Sequence, residues 1–222
     1  MANISAFEVL GPNMIGPSSS HTAGAAAIAC LAQKMIKGPI VKVTFTLYGS
    51  FAHTYTGHGT DRALLGGIMG FSTDDRRIRD SFAIAGEKGI EYHFVPDETE
   101  TDIHPNTVDI EMINAQGHRM LVRGESLGGG KIRICQIDHV EVDFTGEYST
   151  LIVTHKDMPG VVAHIAAVLS HYGLNIAFMR LFRESRGSTA YSIVEVDNRI
   201  PASVAEMILE NPHVIDAMIV QP

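Results

Sequence analysis

The sequence predicts an α/β (α+β) chain built as two modules, and three observations carry that reading. Residues 39–48 (PIVKVTFTLY) alternate apolar and polar, the pattern of a half-buried strand, and helical stretches stand on either side of them. Five more strand-like runs follow, at 90–95, 107–113, 118–124, 131–137 and 139–144. Beyond a short Thr145-Gly146-Glu147 hinge, the rhythm becomes a regular strand–helix–strand–strand–helix–strand series. Residues 1–147 therefore form a mixed α/β module and residues 148–222 a second, ferredoxin-like βαββαβ module.

In chain order, the first predicted helix runs from Ala23 to Met35 and is preceded by Gly16-Pro17-Ser18-Ser19-Ser20-His21-Thr22. A serine caps a helix start, and Pro17 stiffens the approach. The strand at 39–48 leads into a Gly- and His-rich loop, Gly49 to Gly59, and then a helix from about Thr60 to Gly70. Asp74 to Ala85 reads as a further helix, with negative charge at its start. Asn114-Ala115-Gln116-Gly117 joins two strands as a hairpin. In the second module Leu151 to His155 is a strand, and Asp157-Met158-Pro159-Gly160 opens a helix with proline in the first turn. Val161, Ile165, Val168 and Leu169 share one face of that helix, and Gly173 ends it. Asn175 to Arg183 and Thr189 to Val196 are strands around Arg186-Gly187. Pro201 to Glu210 is a helix, and Val214 to Val220 a last strand.

Composition narrows the function. The 222 residues are 45% hydrophobic and 19% charged, ordinary for a globular protein, and the net charge is −8. With no basic stripe to displace counterions, nucleic acid is not the expected partner. No apolar run approaches the ~18 residues of a membrane span, and the N-terminal MANISAFEVLG lacks the basic region and apolar core of a secretory signal, so a cytoplasmic protein is expected. Cys30 and Cys135, on separate elements, read as buried thiols of a reducing compartment, and two cysteines fall short of the roughly four that hold an iron–sulfur cluster.

The residues that carry chemistry cluster in the first module. A helix start offers unpaired N–H groups and the positive end of the helix dipole, and Ser18, Ser19, Ser20 and Thr22 add hydroxyls there. That set suits a carboxylate or phosphate. His21 adds a donor, or a cation when protonated. His58 stands between two glycines in an open loop, and an imidazole near neutral pKa suits proton transfer. Asp61 either orients that imidazole or caps the next helix. Asn106 follows His104-Pro105, where proline holds His104 extended. Ser126-Leu127-Gly128-Gly129-Gly130 reads either as bare backbone amides near a ligand or as a hairpin loop.

The second module resembles an ACT domain, on Asp157-Met158-Pro159-Gly160, the helix through Leu169, and Gly173-Leu174-Asn175-Ile176. That resemblance implies an amino-acid effector held by Asp157, Gly160 and Asn175, and homo-association through the module by edge strand or helix face. The first module completes the comparison. Gly16 to Thr22, Gly57-His58-Gly59-Thr60-Asp61, His104-Pro105-Asn106-Thr107 and Ser126 to Gly130, in this order, resemble the β subunit of the bacterial iron–sulfur L-serine dehydratases. The family implies a heteromer in which a separate α subunit ligates a 4Fe-4S cluster, and this chain is then expected to hold no metal. It implies L-serine as substrate, with His58, His21 and Asp61 in proton transfer. Ser18, Ser19, Ser20, Thr22, Thr60, His104 and Asn106 would bind the substrate. Hydroxide leaves poorly, which suits a Lewis acid such as an open iron, and the weakly acidic Cα proton needs a base and a well-held carboxylate. The alternative is a regulatory subunit that senses serine or another amino acid, with all catalytic groups in its partner.

Overall fold

The computed structural model describes residues 13–221, so the N-terminal MANISAFEVLG lies outside the described residues. The chain divides into two compact units, Met1–Asp138 and His139–Pro222.

The first unit opens with a π-helical turn, Ser19–Gly24, that runs directly into α1 (Ala25–Gln33). Strand β1 (Ile40–Tyr48) follows, then α2 (Gly49–Thr54), α3 (Thr60–Ile68), a 3-10 turn (Arg76–Asp80) and α4 (Ser81–Glu87). Strands β2 (Glu91–Asp97), β3 (Thr107–Asn114), β4 (Arg119–Gly128) and β5 (Lys131–Ile137) complete it. These strands lie in the order β2-β1-β3-β4-β5. Among these described strands only β1 and β2 pair in parallel, because the helices between them form the long crossover that parallel neighbours require.

Helix α1 lies on β4 through two reciprocal fits. A Cβ at Gly124 would overlap Ile28, and a Cβ at Gly24 would overlap Ser126 Oγ. Gly24 and Ile28 are one helical turn apart, and Gly124 and Ser126 are two strand positions apart on one sheet face. Each small residue thus receives the larger side chain opposite. The core between helices and sheet holds Ile28, Phe45, Leu47, Phe51, Leu64, Ile110 and Ile134, all fully buried.

Several local expectations change. The segment read as a loop from Gly49 contains α2, because the N–H groups of Ser50 and Phe51 donate to Pro105 O and so fix a turn that six residues could not hold alone. The helix expected over 74–85 is instead a 3-10 turn followed by α4; Asp75 caps the former by accepting from Arg77 N–H. Strand β4 runs on to Gly128, so Ser126 is a buried strand residue, and the turn is left to Gly129 and Gly130. Both thiols are half-buried rather than buried. Burial and the nearby Glu125 still push the Cys135 thiol up to about 12, which keeps it protonated.

In the second unit, β6 (Val140–Phe144) precedes β7 (Ser149–Lys156), α5 (Val161–His171), β8 (Ile176–Arg183), β9 (Thr189–Val196), α6 (Ala202–Ile208) and β10 (Val214–Val220). The last four strands form an antiparallel sheet in the order β10-β7-β9-β8, which is the ferredoxin-like arrangement the sequence predicts. Val161, Ile165, Val168 and Leu169 of α5 pack with Leu151, Val153, Val194 and Val204. Strand β8 is an edge, and its Phe178 and Leu181 are nearly half exposed. No helix among the described residues is long and apolar enough to cross a membrane.

Candidate functional site

The π-helical turn is the centre of the site. Its cap, Ser18, accepts from His21 N–H at 3.1 Å, so the turn closes tightly and carries the His21 side chain back over the seryl hydroxyls. His21 Nδ1 lies 3.3 Å from Ser18 Oγ and 3.2 Å from Ser20 Oγ, which are themselves 3.3 Å apart. On the other side of the ring, Nε2 lies 2.9 Å from Ser50 Oγ, on α2. Ser19 is half-buried within the turn. Thr22 is buried and its hydroxyl donates to His58 O at 3.3 Å, which ties the Gly57–Gly59 loop to the turn. π-Helical turns recur where function demands an unusual side-chain placement.

The imidazoles of His21 and His58 meet with centroids 4.9 Å apart, and Phe51 sets its edge against His21 at 5.4 Å. Burial, and then the proximity of His58, holds the His21 pKa below its ordinary 6.5, so His21 is a neutral imidazole at neutral pH. His58 Nδ1 is buried without a hydrogen-bond partner.

His58 also lines a cleft of about 340 Å³ together with Gly16, Thr22, Gly57, Arg62 and Arg79. Two guanidinium residues and an imidazole, with no carboxylate in the lining, give it a positive character. Arg62 donates to Arg79 O and lies over the Phe82 ring. Neither arginine belongs to a recognisable motif, so the sequence alone did not mark them; their positions one helical turn past His58 and on the 3-10 turn were the available signal.

The remaining site residues separate into two groups. Thr60 and Asp61 open α3 and are buried. Thr60 Oγ1 has no partner, while Asp61 accepts from Arg62 N–H, and burial raises its pKa. Asp61 neither lines the cleft nor bonds to His58. On the far side of Ser50, Pro105 O receives the N–H groups of Ser50 and Phe51. His104 Nδ1 accepts from Asn106 N–H at 3.3 Å, and Thr107 Oγ1 donates to His104 O, so His104 staples its own turn. Asn106 exchanges backbone and side-chain bonds with Ser126, and both Asn106 Oδ1 and Ser126 Oγ are buried without partners. Ser18, Ser20, His21 and His58 are therefore contiguous, with the 104–106 loop joined to them through Ser50. The hydroxyls of Ser18 and Ser20 are directed at His21 rather than standing open.

In the second unit a cleft of about 520 Å³ is lined by Asp157, Met158, Gly160, Arg183 and Arg186. Asp157 accepts from Arg183 at 3.0 Å and from Gly187 N–H at 3.1 Å; the Gly187 N–H, and then Arg183, hold its pKa below the usual carboxylate range. Asn175 does not line this cleft and instead donates to Asp197 at 2.7 Å.

Comparison with known proteins gives the family. Residues 5–88 match the family model described as serine dehydratase beta chain, and residues 149–211 match the ACT domain. The chain is 41% identical over 209 residues to the L-serine dehydratase beta chain of Peptoniphilus asaccharolyticus, covering 94% of each. It is 38% identical over 211 residues to the probable L-serine dehydratase beta chain of Bacillus subtilis, covering 95% of each. A weaker likeness, 23% identity, spans 96% of this chain but 38% of the D-3-phosphoglycerate dehydrogenase of Synechocystis. With its length matched almost end to end at this level of identity, the chain belongs to the L-serine dehydratase β-chain family and carries an ACT domain after the module that holds His21 and His58.

Proposed function

We propose that this chain is the β subunit of a heteromeric L-serine dehydratase and supplies groups that hold the substrate carboxylate and move its protons. The observation that carries the reading is the paired imidazoles of His21 and His58 beside a cleft whose lining has guanidinium groups and no carboxylate. L-Serine loses its Cα proton and, from Cβ, hydroxide; the aminoacrylate formed tautomerises and hydrolyses to pyruvate and ammonia. In this reading the cationic cleft and the Thr22 region receive the carboxylate. His58, which lines the cleft, faces the proton to be moved, and His21 stands behind it as a neutral neighbour.

The 4Fe-4S cluster implied by the family is assigned to the α subunit. The residues of this chain do not fit such a group, because no three His, Cys, Asp or Glu residues among those described gather to hold a metal. The roles of His21, His58 and the cationic cleft therefore involve no step through the cluster.

The test is reconstitution. The chain alone is expected to be folded and inactive. Co-expressed with the α subunit and assayed anaerobically, it is expected to yield pyruvate from L-serine, and the activity should decay in air. Turnover by the chain alone, or an oxygen-insensitive holoenzyme, would count against the proposal.

A second reading has its own observation. The likeness to a D-3-phosphoglycerate dehydrogenase spans both modules of this chain, so the same pair of modules occurs in an enzyme of another name. On that reading the chain is a sensor and its partner does all the chemistry. His58→Ala in the holoenzyme separates the two, since a sensor variant would keep full turnover and lose only regulation by serine. We further propose that the ACT unit takes an amino-acid effector at the cleft beside Asp157 and Gly160 and self-associates through β8. Glutamate at Phe178 and Leu181 should then shift the sedimentation profile to monomer, and an unchanged profile would remove that expectation.

A further inference from the structure

His21 is held at both ring nitrogens by hydroxyls, and the one on the Nε2 side belongs to a residue outside every sequence motif. We propose that Ser50 is a positioning residue that fixes His21 as its Nε2–H tautomer. This rests on the reading of His21 as part of the proton-handling face.

The seryl hydroxyls around the ring can supply the donor this tautomer requires. Ser18 Oγ already accepts from His21 N–H, so its own hydrogen is left to donate, towards Ser20 Oγ or His21 Nδ1. Ser20 Oγ, 3.2 Å from Nδ1, has the same choice. If Ser18 donates to Ser20, then Ser20 donates to Nδ1, and the reverse order also ends at Nδ1. Both orders supply Nδ1 with a donor, and a neutral imidazole that accepts at Nδ1 carries its hydrogen on Nε2. That hydrogen has Ser50 Oγ at 2.9 Å to receive it.

Ser50 is itself pinned. Its N–H donates to Pro105 O at 2.7 Å, and its carbonyl accepts from Thr54 Oγ1 at 2.7 Å. A Cβ at Gly49 would press on Pro105, so the chain reaches Ser50 along a path only glycine takes comfortably, at φ +50°. The backbone that carries the receiving oxygen is thus held on two sides. The titratable group facing the His21 ring is His58, and Phe51 closes a further side. Through Pro105 the same serine links the imidazole pair to the 104–106 loop.

The test uses the full chain with 15N-labelled histidine, His21 being assigned by its loss in His21→Asn. In the wild type, Nε2 should give the shift of a protonated ring nitrogen and Nδ1 that of an unprotonated one. Ser50→Ala should mix the two tautomers, and Ser50→Thr should keep the wild-type pattern. In the reconstituted enzyme Ser50→Ala should lower kcat about tenfold with KM little changed, roughly the worth of one well-made hydrogen bond, and Ser50→Thr should restore it. A wild-type Nδ1–H ring, or a Ser50→Ala ring that keeps its single tautomer, overturns the proposal. Tautomers that mix while kcat holds would instead remove His21 from the reaction and leave its link to Ser50 intact.

Discussion

The rings of His21, on the π-helical turn, and His58, on the loop before α3, stand 4.9 Å apart, and His58 lines the cleft together with Arg62 and Arg79. Two imidazoles at that distance resist being charged together, and His58 adds to the burial that lowers the His21 pKa.

This sets an expected pH dependence. His21 has a folded pKa below its ordinary 6.5, through burial first and His58 second. The unfolded chain therefore binds the extra proton more readily. The stability that neutral His21 contributes is complete above pH 6.5 and falls as pH drops below it. kcat/KM should show an acid limb below pH 6.5. Replacing His58 with Gln should move the His21 titration upward without returning it fully to 6.5, as followed by NMR of the ring protons. No movement in His58→Gln would mean the two rings are not coupled.

Arg79 faces the cleft on the 3-10 turn. If it grips the carboxylate equally in ground and transition states, Arg79→Gln should raise KM about 10-fold or more and leave kcat near its wild-type value. Steady-state kinetics on L-serine would show this, and an unchanged KM would exclude the role.

Asp61 is buried with little more than the Arg62 N–H to accept, and its pKa is raised by burial. Ionised at neutral pH, it costs the folded state stability, and that cost grows as pH climbs above the ordinary carboxylate value. Asp61→Asn should therefore raise the Tm of the isolated chain by a few degrees, on the order of 1 kcal/mol, at pH 7 and less at pH 4. A simultaneous loss of holoenzyme activity would mark Asp61 as a group retained for function at the expense of stability.

Gly24 and Ser126 occupy one space. Gly24→Ala should destabilise the chain by about 1–3 kcal/mol in urea titrations, and the pair Gly24→Ala, Ser126→Gly should recover most of it. Additive losses in the double variant would show that the two residues do not compete for that space.

The second module was legible because its periodicity is regular and its punctuation strong: proline and glycine open α5, and Gly173 ends it. The first module hid what depends on distant contacts. The six residues of α2 carry no measurable period, and their turn exists because Pro105 O, far along the chain, accepts two of its N–H groups. The π-helical turn has no compositional sign. The seryl triplet was visible as a hydroxyl cluster, yet its direction towards His21 depends on the Ser18 cap, and the ring's other partner lies in α2. Ser126 was misplaced because three glycines beside it resemble a loop, while β4 continues through the first of them.

Sheet order has a consequence for synthesis. Strand β1 emerges early, but both of its neighbours, β2 and β3, lie later in the chain, and β3 ends only at Asn114. Until about half of the polypeptide has left the ribosome, β1 has no completed ladder on either edge, and Ser50 lacks the carbonyl that holds it. Nascent chains arrested before residue 105 should consequently remain protease-sensitive across residues 40–60.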